Sequence, residues 1–177
     1  MALYLATPER KHRRAWKALK HEFDHDNAKH FALYQGRGRK GSQTYGMFLR
    51  RWRKFNEGRH LPSHLVPATK YFLLEEGSPK ILGVIDIRHR LNDYLLNNPG
   101  GHIGYAVAPS ERRKGFATQQ LRLGLEKCRE MGINPVLVTC HKENIASARV
   151  IQKNGGVLED ERVIGDGRIF QRYWIAL

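Results

Sequence analysis

The feature that most constrains this chain is a change in the period of its apolar residues near Pro67. Before that point, Trp16, Leu19 and Phe23 recur at spacings of three and four, as do Tyr45, Phe48, Leu49, Trp52 and Phe55. Each set makes one stripe on an amphipathic helix. Thr7 followed by Pro8 reads as a helix start, with the proline at the first helical position. A stretch over 35–42, rich in Gly and Arg, reads as a mobile loop, and Pro62 and Pro67 bracket a connector.

Beyond Pro67 the apolar runs shorten to strand length and are punctuated by turn residues. Strands are expected at 70–75, 81–87, 102–108 and 135–140, with a polar loop at 92–101. Helices are expected at 115–131 and 144–153. A closing hairpin pairs 157–164 with 168–175 through Gly165-Asp-Gly167. Alternating strands and helices of this kind call for a mixed α/β (α+β) sheet covered by helices. No internal repeat or linker divides residues 1–177, so one domain is expected, with 1–69 as a helical portion and 70–177 as the sheet.

Composition narrows the class. The chain has 177 residues, with 41% hydrophobic and 27% charged, which suits a globular core rather than disorder. No apolar run approaches the roughly 20 residues that span a bilayer. At the N-terminus, apolar residues precede basic ones, the reverse of a signal peptide. Cys128 and Cys140 offer neither a disulfide framework nor zinc-ligand spacing. The expectation is a cytoplasmic domain with no membrane segment and no metal.

The formal charge is +14, and residues 1–70 carry a net +11 of it. The excess is clustered in Lys11-His-Arg-Arg14, Arg37-Gly-Arg-Lys40 and Arg50-Arg-Trp-Arg-Lys54. Such clusters suit a polyanion or an acidic or phosphorylated partner. They equally suit solvated helix faces, and no RNP or KH signature accompanies them.

Chemistry concentrates in Val107-Ala-Pro-Ser-Glu-Arg-Arg-Lys-Gly-Phe-Ala-Thr118. A strand runs into a short basic loop, and a glycine opens the next helix. Free N–H groups and the dipole at a helix N-terminus suit phosphate. Gly115 permits close backbone approach, and Arg112, Arg113 and Lys114 add positive charge. Neither a P-loop nor a GxGxxG fingerprint is present.

Arg112-Arg-Lys-Gly115-Phe-Ala117 resembles the acyl-CoA-binding motif [QR]xxGx[GA] of the GNAT superfamily of N-acetyltransferases. Asn144-Ile-Ala-Ser147 and Lys153-Asn-Gly-Gly156 follow in the superfamily's order and spacing. Ile87-Arg-His-Arg-Leu-Asn-Asp93, Gly101-His-Ile-Gly-Tyr105, Ala146-Ser-Ala-Arg149 and Arg172-Tyr-Trp-Ile175 are similar to strings of one bacterial subgroup. The resemblance implies a twisted, mostly antiparallel sheet of about six or seven strands flanked by helices. It also implies acetyl-CoA as co-substrate, a splay between 102–108 and 135–140 that admits it, and direct attack by a primary amine.

Carried over by position, the backbone of Val107 pairs with pantetheine amides. The amides of Arg112, Arg113, Lys114, Gly115, Phe116, Ala117 and Thr118 wrap the pyrophosphate. Asn144 touches the pantetheine arm, and the Tyr105 N–H polarises the thioester carbonyl. The family's frequent acid and base positions fall here on Ile151 and Gly101, which can do neither job. His89 is the leading replacement base, with His102 and Asp86 behind it. Tyr173 is a candidate acid. Arg88, Asn92, Tyr94 and Asp86 are candidate substrate contacts, and Cys140 reads as a buried apolar thiol. A homodimer is the default assembly. The rival reading is a catalytically silent module that binds RNA or another polyanion through residues 10–54.

Overall fold

A computed structural model describes residues 2–26 and 44–177. Seven strands form one sheet in the order β1-β2-β3-β4-β5-β7-β6. They are β1 (Leu3–Ala6), β2 (Ala68–Glu75), β3 (Ile81–Arg88), β4 (Ile103–Val107), β5 (Val136–His141), β6 (Val157–Val163) and β7 (Ile169–Ile175). Helices α1 (Arg13–Asp24) and α2 (Tyr45–Asn56) cover one face. On the other face lie α4 (Phe116–Glu130) and α5 (Ile145–Lys153), while α3 (Asp93–Asn97) sits between β3 and β4 in sequence. The expected α/β class and mixed, mostly antiparallel sheet are what is found.

Covering both faces explains the unbroken apolar runs of β2 and β3, which are buried along seven consecutive positions each. Phe72, Leu74 and Val84 pack with Trp16, Leu19, Phe23 and Phe48 on the α1/α2 side. Tyr71, Ile85 and Ile87 pack with Leu121, Leu125, Cys128 and Ile151 on the α4/α5 side. The helical stripes seen in the sequence are the faces that become buried, although Trp52 and Phe55 stay half-exposed.

Three expectations need correction. Residues 3–6 are a strand, β1, paired with β2 from Leu3↔Glu75 to Ala6↔Phe72, so the 1–69 portion is not purely helical. The Thr7–Pro8 pair does not start a helix. A 3-10 turn at Arg10–His12 comes first, with the Glu9 N–H donating to His12 Nδ1 at 3.0 Å, and α1 begins after it. The loop expected at 92–101 contains α3, because the Asn92 side chain accepts the Leu95 N–H at 3.0 Å and caps a short helix. The stretch at 35–42 and the cluster Arg37-Gly-Arg-Lys40 lie outside the described residues.

All strand pairs are antiparallel except β4 with β5, which meet only at Ile103↔Val138. A knot of polar contacts fixes that meeting point. The His102 N–H donates to Leu137 O at 2.7 Å, and the Leu137 N–H donates to His102 Nδ1 at 2.9 Å. The Gly100 N–H reaches Thr139 Oγ1 at 2.9 Å. From behind, the Arg88 guanidinium donates to the carbonyls of Gly100 and Gly101 at 3.2 and 2.9 Å. Gly101 has φ +64°, and a Cβ there would stand 2.4 Å from Leu137 O. Gly101→Ala therefore meets both left-handed strain and a backbone clash, and should lower unfolding stability by roughly 3 kcal/mol in urea denaturation.

Candidate active site

Strand β4 is where the sheet opens. The Ala108 N–H donates to Leu82 O and the Arg88 N–H to His102 O, both at 2.8 Å. The intervening register pairs Val84 with Ala106 and Asp86 with Gly104. Even-numbered residues of β4 therefore face β3 with their backbone groups, and Ile103, Tyr105 and Val107 turn theirs toward β5. Ile103 is matched by Val138, but no register partner follows it on β5. The N–H and C=O of Tyr105 and Val107 thus border an opening between two diverging strands.

At the far end of β4 a 3-10 turn, Pro109–Glu111, leads to α4. Gly115 is the N-cap of α4, at φ +85°, and Arg113 is also left-handed at φ +65°. The Arg112 N–H donates to Pro109 O at 3.4 Å and the Thr118 N–H to Gly115 O at 3.1 Å. Between them, the amides of Arg113, Lys114, Gly115, Phe116 and Ala117 have no acceptor among the described residues. Of the expected 112–118 cradle, the two end amides close local turns and those of 113–117 are free. Five adjacent free donors at the positive end of a fifteen-residue helix have the chemistry that attracts an anion.

The loop is held from α1. Ser110 N–H donates to Glu22 Oε2 at 3.0 Å, and the Arg112 guanidinium pairs with Asp26 at 2.5 Å. Lys80 and Lys114 both pair with Glu111, at 2.5 and 2.9 Å. Arg112 is therefore committed to a carboxylate, whereas Arg113 stands beside the free amides.

On the α4/α5 side of β4, Tyr105 Oη lies 2.9 Å from Ser147 Oγ. Burial pushes the Tyr105 phenol up to about 12, partly opposed by this hydrogen bond. Burial likewise raises the Cys140 thiol to about 11. The Tyr173 hydroxyl donates to Gln171 Oε1 at 2.8 Å, and its ring is buried against β5. Asn144 caps α5, its side chain accepting the Ser147 N–H at 3.0 Å. Ile151 is fully buried in the apolar core. Ser147, Gln171 and Thr139 were not singled out by sequence reasoning; only the Asn144–Ser147 string hinted at the first.

Other candidates fall elsewhere. His89 Nε2 lies 2.8 Å from Thr69 Oγ1, which in turn donates to Asn56 Oδ1 at 2.5 Å. The His89 N–H donates to Pro67 O at 2.9 Å, so this residue turns toward β2 and away from the opening. Burial lowers its pKa, with Asp86 partly opposing. Asp86 is buried in an ion pair with Lys70 at 3.2 Å. Arg88 spends Nη1 on the two carbonyls behind the knot. Asn92 is likewise occupied at both ends of its amide, by Leu95 N–H and by Ser63 O at 3.1 Å. Tyr94 remains exposed, edge-on to His64.

His102 is a structural group, buried at 7% exposure. Burial, then the nearby Arg88 charge, lowers its pKa to about 4. Below its ordinary value of 6.5, the unfolded chain takes up a proton that the folded state refuses. Stability should accordingly fall by about 3 kcal/mol as pH drops from near 6.5 to near 4, and stay level above. His102→Asn keeps an acceptor for Leu137 without titrating, so urea midpoints against pH should lose that part of the slope.

Comparison with known proteins places this geometry. A sequence profile described as "Acetyltransferase (GNAT) domain" matches residues 3–157. An Arabidopsis thaliana protein, "GCN5-related N-acetyltransferase 6, chloroplastic", is 33% identical over 86 residues. That match covers 49% of this chain and spans only 30% of the Arabidopsis protein. RimL, a ribosomal alpha-N-protein acetyltransferase in complex with coenzyme A, superposes with a TM-score of 0.68 at 16% identity, covering 100% of this chain and 95% of that one. An N-acetyltransferase from Staphylococcus aureus Mu50 gives 0.65 at 16%, covering 99% of each chain. At such identities the superpositions speak for the fold.

Proposed function

This chain belongs to the acetyltransferase (GNAT) domain family, and we propose that it transfers the acetyl group of acetyl-CoA to a primary amine by direct attack, without an acyl-enzyme. The observation that carries the reading is the run of free amides at 113–117 beside the open backbone edge of β4. Those amides and the α4 dipole hold the diphosphate, aided by Arg113 and Lys114. Val107 offers its N–H and C=O to the pantetheine amides as an added strand would. Acetyl-CoA supplies the acyl group activated as a thioester. The Tyr105 N–H, directed into the opening, faces the carbonyl oxygen on which negative charge builds.

Ile151 cannot protonate the departing thiolate, and the Tyr173 hydroxyl is engaged by Gln171. The Ser147 hydroxyl takes that role, giving its proton to the thiolate as Tyr105 Oη, 2.9 Å away, gives one to Ser147. The proton shed by the attacking amine returns to Tyr105, so no charge is left on the pair. The amine reacts in its neutral form, held in place rather than activated by a strong base. A protein N-terminal amine is the first acceptor class to try, since RimL is named for that activity.

Calorimetric titration with acetyl-CoA should give micromolar binding, and Gly115→Val, which forces a branched side chain into φ +85°, should weaken it by about tenfold. Release of free thiol across a panel of N-terminal peptides, polyamines and amino acids then identifies the acceptor. With that acceptor, Ser147→Ala should lower kcat by about 100-fold while leaving acetyl-CoA affinity within about twofold. Absence of acetyl-CoA binding by the native chain overturns the reading.

A further inference from the structure

Several cations of the N-terminal part gather in one place. A cleft of about 670 Å³ opens between α1 and the start of α2. Arg10, Arg13 and Lys17 line it along one side, with Thr44 and Gly46 opposite. Two neighbouring cations are neutralised, Lys11 by Glu9 at 3.1 Å and Lys20 by Asp24 at 2.5 Å. Arg10, Arg13 and Lys17 have no carboxylate partner among the described residues. Asp24, the acid in the lining, is the one already taken by Lys20.

This placement works against local helix stability. The first turn of α1 contains no acidic residue, and its cations stand at the end where the helix dipole is positive. Local rules broken in this way, with no compensating contact, are a mark of function. The α2 N-terminus, also without an acid in its first turn, adds its dipole to the same cleft. A concave surface lined by one sign of charge concentrates the opposite sign.

We propose that the cleft docks an acidic peptide segment belonging to the amine-bearing acceptor. The link to an acceptor rests on the transferase reading above; the binding itself does not. Carboxylates on alternate residues of an extended peptide lie about 6.5–7 Å apart. That spacing is close to one cation per helical turn, about 5.4 Å. The aromatic rings in the lining, Trp16 and Tyr45, are only 2% and 5% exposed. They provide no platform for stacked bases, which single-stranded nucleic acid sites use.

The test is fluorescence anisotropy with a labelled oligo-glutamate peptide and, separately, a labelled single-stranded RNA. The peptide should bind at low salt and weaken by about tenfold or more in Arg10→Gln/Arg13→Gln/Lys17→Gln. Arg50→Gln, exposed on α2 outside the cleft, should leave it unchanged. Acetyl-CoA titration on the same triple variant reports separately on the acyl-transfer site and on folding. No peptide binding, equal binding by the triple variant, or tighter RNA binding lost in that variant would each overturn the proposal.

Discussion

The opening in the sheet depends on how two parallel strands are kept together at one point and apart everywhere else. β4 and β5 share a single register pair, Ile103↔Val138. What holds that point is not a ladder but a set of substitutes for one: the imidazole of His102 stands in for a carbonyl, and the hydroxyl of Thr139 receives the Gly100 amide. Arg88 braces the turn from the rear by satisfying two carbonyls. A buried guanidinium serving carbonyls, and an imidazole kept neutral, are costly choices for a protein interior. They persist because a continued ladder would close the opening that β4 borders.

The broad architecture was legible in the residues because it follows from burial. Strands covered on both faces read as unbroken apolar runs, and helices covered on one face read as stripes, so β2, β3, α1 and α2 announce themselves. β1 did not, since four residues are too few to display a period. α3 was hidden for the same reason and is held by one capping side chain. The free amides at 113–117 fall within the stretch 112–118 that the sequence singles out, because a loop, a glycine and a helix are local in sequence.

The contacts on the α4/α5 side of β4 were not legible, because they are made between distant residues. Tyr105 meets Ser147 across 42 positions, and nothing local to either predicts it. Arg88, Asn92 and His89 have the chemistry of a substrate site, and each also bonds nearby backbone or hydroxyl groups that only the folded chain assembles. Charge told a similar story: the net excess was plain in the composition, but which cations go unmatched depended on how Glu9 and Asp24 are oriented in the fold.

The grip of α1 on the basic loop has a mechanical meaning. Glu22 and Asp26 reach across from one side of the sheet to the amide of Ser110 and the guanidinium of Arg112. Because Asp26 already holds that guanidinium, an anion arriving at 113–117 meets free amides rather than Arg112. The two halves of the molecule are thus fastened by an ion pair and a hydrogen bond at the loop, in addition to the sheet they share.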